Sequence, residues 1–395
     1  MKTNVRMGVL VGLAIAGSIC ACSAGDDGGG GEEPVYNSFV YVANYGSISD
    51  SVLGSISAFS MNASTGALTA VTGSPFAAGG IFTSIAFDPA RKYAYVASAS
   101  NGVLDGPGNI SGFAVNKVTG ALTAVPGSPF TAGKLTFSVA VDPTGHYLYA
   151  TNFDSNDISA YAITSATGAL EAVAGSPFAD GGPGRELPGP TGLAVHSSGR
   201  FAYVAHYYAY DISVLAIDAA TGALADIAGS PFATEHGSYG LTVDPTGRFV
   251  FVADYGNDSV SAYAIDATTG ALTTVAGSPF PTGAVGSLAW SVAVDPAGKF
   301  VYVVNSDADS VSGYTINTAT GALTAIAGSP FPVGPDPHAV AVDPTGKFAY
   351  VANFGSNNVS AFTINTSTGR LTLLAGSPFA AGPGPASIAI IRIKQ

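Results

Sequence analysis

Histidine is scarce in this chain, five residues among 395, and charged side chains make up only 10 % of it, so the places where titratable groups do occur are informative. Able to do acid–base work are His206, the Glu235-His236 pair and His338, with Arg185-Glu186 in a stretch rich in Gly and Pro. A histidine base, a carboxylate and an arginine facing one cavity could activate a water and stabilise an oxyanion, which is what hydrolysis of an ester or lactone demands. His206, Arg185, Glu235 and His338 form the candidate catalytic set. Candidate ligand contacts are Lys134, Glu186, Tyr207, Tyr208, His236, Asp254, Trp290 and Asp307, with Phe137 beside them. Other chemistries lack their residues. There is no Gly-x-Ser-x-Gly elbow to expose a nucleophilic serine. The run Asn305 to Ser310 resembles the opening of a calcium loop but lacks its glycine and closing glutamate, so neither metal nor cofactor is expected.

What must position these residues is a repeat. Gly-Ser-Pro-Phe begins at Gly73, Gly127, Gly175, Gly229, Gly277, Gly328 and Gly376, seven copies spaced by 48 to 54 residues. Between them recur a Tyr-Val-Ala-Asn-like run, a Thr-Gly pair and, most clearly at Val141 to Gly145, Val243 to Gly247 and Val342 to Gly346, Val-Asp-Pro-Thr-Gly. Each period predicts four short strands, a to d, joined by turns in which Asn or Asp caps its own backbone and Gly supplies a left-handed position. Strand b is apolar at nearly every position, so both its faces must be covered, as in a blade packed between two neighbours.

Four strands in a period near 50 residues predict an all-β, seven-bladed β-propeller of antiparallel blades over 38–395. The chain enters at a strand b (Ser38 to Ala43) and ends on an unpartnered strand a (Ser387 to Ile391), so the C-terminal strand should close the first blade and remove an open edge. Propeller sites gather at the axial mouth formed by the d-to-a and b-to-c connections. All the candidate residues above fall on that side, whereas His146 and His196 fall in turns on the opposite face. His206 stands where other units carry Asn (Asn44, Asn152, Asn305, Asn353), a structural position changed to a titratable one.

Residues 1–21 read as a lipoprotein signal peptide: Lys2 and Arg6, an apolar run from Met7 to Ile19 too short to span a bilayer, and Ile19-Cys20-Ala21-Cys22, which resembles a lipobox with Cys22 as the lipidated residue. Residues 22–37, with four glycines at Gly28 to Gly31 and acids on both sides, read as a flexible tether. Export with membrane attachment through a lipid only, at the periplasm, outer membrane or cell surface, is the expectation, as is a monomer. The formal charge is −12, and loss of Lys2 and Arg6 leaves 12 bases against 26 acids, so nucleic acid is excluded as a partner.

Units such as His338-Ala-Val-Ala-Val-Asp-Pro-Thr-Gly-Lys-Phe-Ala-Tyr-Val-Ala-Asn resemble the lactonase-type seven-bladed propellers, which include propeller 6-phosphogluconolactonases and carboxymuconate cyclases, and also the Tyr-Val-Thr-Asn propellers of cell surfaces. The resemblance covers Ser38 to Gln395. It implies a mouth that uses His, Arg and acidic side chains, types matched here by His206, Arg185, Glu235 and His338. A phosphorylated sugar lactone would need several cations, and this mouth offers Lys134 and Arg185, so that substrate is not expected. Two functions follow: a lactonase-like protein that binds, and hydrolyses, a small lactone or carbohydrate-type ligand at the mouth, or a non-catalytic surface platform for a protein or polysaccharide.

Overall fold

The structure is a computed structural model that describes residues 35–46, 52–77, 79–100, 106–180, 189–234, 236–283 and 286–395. Seven antiparallel sheets follow one another around an axis, each ordered d-c-b-a from rim to centre. The innermost strands are Phe82–Phe87, Thr136–Val141, Pro190–Val195, Ser238–Val243, Ala289–Val294 and Pro337–Val342 for blades 2 to 7, and Pro385–Lys394 for blade 1. The last of these pairs antiparallel with Tyr36–Asn44, so the two ends of the chain share one sheet, as the sequence predicts.

Each sheet also holds a fifth, two-to-five-residue strand that the sequence pattern does not announce. In blade 3 strand c, Asp157–Ile163, pairs through its last three residues with strand d (Leu170–Ala172) and through Asp157 and Ile158 with Phe178–Ala179. The Gly-Ser-Pro turn bridges the gap between these two partners. Its serine Oγ accepts the one strand-c amide left over, Ala160 to Ser176 at 2.9 Å, and the same bond recurs from Ala58 to Ser74, Gly112 to Ser128, Val214 to Ser230, Ala262 to Ser278, Gly313 to Ser329 and Ala361 to Ser377. The most regular motif in the sequence is therefore an edge patch. It satisfies a buried-side donor that would otherwise cost about 1–3 kcal/mol.

A second recurrent residue joins blade to blade. The tyrosine of strand b donates its hydroxyl to the carbonyl of the Thr-Gly turn in the next blade: Tyr41 to Gly120, Tyr95 to Gly168, Tyr149 to Gly222, Tyr203 to Gly270 and Tyr302 to Gly369. Tyr350 closes the ring by reaching Gly66 at 2.6 Å. Blade 5 has Phe251 in this place and lacks the bond. Strand b is buried along its length, and the interior is a set of apolar clusters lying between adjacent blades.

Where strand a begins, every blade carries a β-bulge, so that two residues of strand a face one of strand b. A bulge breaks the alternation of faces and re-aims one side chain. Repeated seven times at the inner end of the blades, it sets a ring of seven buried side chains there: Ala386, Thr83, Phe137, Thr191, Tyr239, Trp290 and His338, in blade order.

Candidate functional site

The ring is lopsided. Thr83 and Thr191 use their hydroxyls on backbone carbonyls of their own and the following blade, and Ala386 offers none. The other four side chains are aromatic and pack into one wall. Trp290 stacks on His338 with centroids 4.4 Å apart and planes 16° apart, and His338 stacks on Phe354 at 4.3 Å and 17°. Tyr239 continues the wall from Trp290 at 4.4 Å, and because Thr191 is small it also reaches Phe137 of blade 3 at 5.5 Å. Tyr207 and Tyr255, first residues of the b-to-c turns of blades 4 and 5, close over Tyr239.

The polar edge of this wall is phenolic and acidic. Burial, then the neighbouring phenols of Tyr255, Tyr207, Tyr208 and Tyr45, hold the Tyr239 hydroxyl far above its ordinary range, so it stays a neutral donor. Burial pushes Tyr255 up to about 12, with help from Tyr207, Asp307 and Asp336. Asp336 is the acid that matters most. Its Oδ1 lies 3.0 Å from His338 Nε2 and accepts the Ser306 hydroxyl at 2.5 Å. Burial alone would raise its pKa, but the bond from His338, its charge and the Ser306 hydroxyl hold the carboxyl below its ordinary range. The Asp336 contact takes Nε2, so Nδ1 is the ring nitrogen left over. That nitrogen is buried and has no hydrogen-bond partner, and neither has Trp290 Nε1. The two residues are 2 % and 1 % exposed. Two orphaned polar atoms, a base and a donor, thus belong to adjacent stacked rings, each an unpaired group that costs about 1–3 kcal/mol unless something else satisfies it.

His206 has a different fate from the one its sequence position suggests. It ends strand b of blade 4, fully buried, with Nδ1 2.7 Å from Asp211 Oδ1 and Nε2 2.5 Å from Asp180 Oδ2. Burial would lower its pKa, but the charge and bond of Asp180 and then those of Asp211 outweigh it and raise the imidazole to about 9. An imidazolium with both N–H groups engaged has no lone pair to act as a general base, so that role is corrected to a structural one. The same position is a node in other blades. Asn152 donates to Asp157 and Ser159, Asn353 to Asn358 and Ser360, and Asp254 of blade 5, a candidate ligand contact, accepts from Ser259 and Ser261 instead. Asp254 is buried in that network and not presented to a ligand.

The remaining candidates scatter. Tyr207 joins the wall, whereas Tyr208 stands on the rim, packed on Phe153 and Tyr207. Lys134 and Asp307 are exposed, and Asp307 is near enough to Tyr255 to help push that phenol up. His236 is half-buried, and its backbone carbonyl accepts the Thr234 hydroxyl. Arg185, Glu186, Glu235 and Cys22 lie outside the described residues. Sequence reasoning missed Tyr239, Tyr255, Phe354 and Asp336. The signal for Tyr239 was present: it fills the slot that Phe137, Trp290 and His338 fill in their own repeats.

Among described residues no three His, Cys, Asp or Glu side chains gather as metal ligands. The model of one family, described as lactonase, 7-bladed β-propeller, matches residues 39–186, 164–290 and 280–389. No curated protein matches the chain in sequence. Among solved structures, a protein of Bacteroides uniformis provisionally described as a 6-phosphogluconolactonase aligns with TM-score 0.76 at 18 % identity, over 90 % of this chain and 99 % of its own. The periplasmic gluconolactonase of Pseudomonas aeruginosa aligns with TM-score 0.76 at 17 % identity over the same shares, and a Lactobacillus plantarum protein with 0.74 at 19 %, again over 90 % and 99 %.

Proposed function

The chain belongs to the lactonase seven-bladed β-propeller family, and from that premise we propose that its mouth binds a small, uncharged, sugar-like ring and opens it when the ring is a lactone. The observation that carries this reading is the Asp336–His338 pair, whose Nδ1 has no partner although it is set in a stacked aromatic column. Aromatic faces suit the C–H faces of a sugar ring, and phenol hydroxyls around Tyr239 suit its oxygens. Nδ1 takes a proton from a water while the water oxygen bonds to the lactone carbonyl carbon. The Trp290 Nε1–H donates to the oxygen that gains negative charge. The ring C–O bond then breaks, the proton passes from Nδ1 to the departing ring oxygen, and a hydroxy acid results. Asp307 and Asp336 beside the wall disfavour a phosphorylated lactone.

Proton release from a set of aldonolactones, measured on the full chain against the uncatalysed rate, tests the proposal. His338→Gln should lose at least about 100-fold in kcat, and Trp290→Phe should lose rate while keeping the wall. Turnover that survives His338→Gln unchanged would remove the mechanism. The deep burial of His338 favours a second reading, a platform that binds without turnover, for which saturable lactone binding with no proton release is the signature.

The leader and Cys22 support display of the domain outside the cytoplasm on a lipid anchor. Labelled palmitate should enter the wild-type chain and not Cys22→Ser.

A further inference from the structure

Blades 3, 5, 6 and 7 share a device that blade 4 lacks. The fourth residue of the b-to-c turn sits in the left-handed region and its side chain holds the loop entering the next blade: Asn156 accepts Gly189 N, Asp309 accepts Asp336 N, Asn357 accepts Gly384 N, and Asp258 accepts Ser287 N and Leu288 N. Asn and Asp tolerate that conformation and provide the acceptor. Blade 4 has Tyr210 in this place, at φ 55°, where a bulky side chain is strained and its aromatic ring cannot accept the amide. The residue does not recover the loss by packing inward, since it is 53 % exposed. Tyr208, two residues earlier, is 45 % exposed on the same turn. Through Tyr207 and Phe153, Tyr208 is continuous with the aromatic wall.

We propose that Tyr208 and Tyr210 form a rim subsite for a second sugar ring, so that the ligand of this propeller is a linear neutral oligosaccharide, or a lactone carried on one, with one end in the mouth. The proposal rests on the reading of the mouth as a seat for a sugar-like ring. Exposed tyrosines held in a turn offer flat faces and hydroxyls with little side-chain entropy to lose, which is what stacking on a pyranose requires. The rim turns add Asp307 and Asp309, exposed, to a chain of formal charge −12, which disfavours acidic polymers and leaves neutral ones.

Isothermal titration of the full chain with hexasaccharides of glucose, mannose and xylose, each beside its monosaccharide, tests this. In the wild type at least one hexasaccharide should bind about tenfold tighter than its monosaccharide, and Tyr208→Ala or Tyr210→Asn should remove most of that advantage, with monosaccharide binding unchanged in Tyr210→Asn. Tyr210→Asn restores the residue type of the other blades and should not lower the melting temperature. No hexasaccharide advantage in the wild type, an advantage retained in both variants, preference for polygalacturonate, or a lower melting temperature in Tyr210→Asn would each overturn the subsite. A hexasaccharide advantage with no lactone turnover would leave the subsite standing and remove only the hydrolytic reading of the mouth.

Discussion

Blades 4 and 7 each contain a histidine near the mouth, yet the repeat gives the two rings opposite fates. In blade 7 the node at the end of strand b stays Asn353, held by Asn358 and Ser360, and the histidine occupies the axial bulge, where one nitrogen is oriented by Asp336 and the other has no partner. In blade 4 the bulge holds Thr191, and the histidine replaces the node itself, where Asp180 and Asp211 take both nitrogens. A rare side chain at a structural node inherits the node's obligations, whereas the bulge imposes none. The entering loops differ: at Gly334 and Gly382 an added Cβ would lie 2.7 and 2.6 Å from the amide nitrogens of Asn353 and Asn44, whereas the loop entering blade 4 reaches His206 with the Asp180 carboxylate.

The sharpest way to break the comparison is to convert one node into the other. His206→Ala should cost about 3–5 kcal/mol in urea unfolding because two buried carboxylates lose their partner. His206→Asn with Asp180→Gly rebuilds the Asn152–Asp157 pairing of blade 3 and should return to within about 1 kcal/mol of wild type. The same triad sets a pH dependence. An imidazole raised from 6.5 to about 9 contributes stability that is fully present below pH 6.5 and is lost as pH rises through 9, so the urea midpoint should fall across that window in the wild type and stay flat in the double variant.

Smaller effects test what the blades have in common. Ser230→Ala in blade 4 and Ser377→Ala in blade 7 each orphan one strand-c amide and should each cost about 1–3 kcal/mol, the same in both blades. Unequal losses would mean that the divergence of blade 4 extends to its outer edge. Smallest of all, Tyr350→Phe should cost about 0.5–1.5 kcal/mol by opening one of the hydroxyl links between blades, and Phe251→Tyr should gain a similar amount by adding the link that blade 5 lacks.

The blade count, the strand order and the closure by Pro385–Lys394 were legible because apolar alternation, turn glycines and the unmatched strand at each end are all local patterns. The short fifth strand was not, since Phe-Ala after a Ser-Pro has no periodicity of its own and is recognisable only by what it pairs with. The mouth was half legible. Repeat alignment placed His338, Trp290 and Phe137 on the correct face, and it marked His206 as unusual. It could not show that His206 would meet Asp180, 26 residues earlier across a long loop, or that a bulge would separate the axial slot from the node. Asp336 looked like an ordinary loop acid until its distance from His338 was known.

The central claim is that the imidazole at the axial bulge, not the one at the node, faces the ligand. Nitrogen NMR of the full chain, labelled at histidine and titrated with the non-hydrolysable lactam of gluconic acid, reads both rings at once. The account predicts that the His338 Nδ1 resonance shifts on binding while both His206 nitrogens remain protonated and unmoved. A shift confined to His206, with His338 unchanged at saturating lactam, would contradict it.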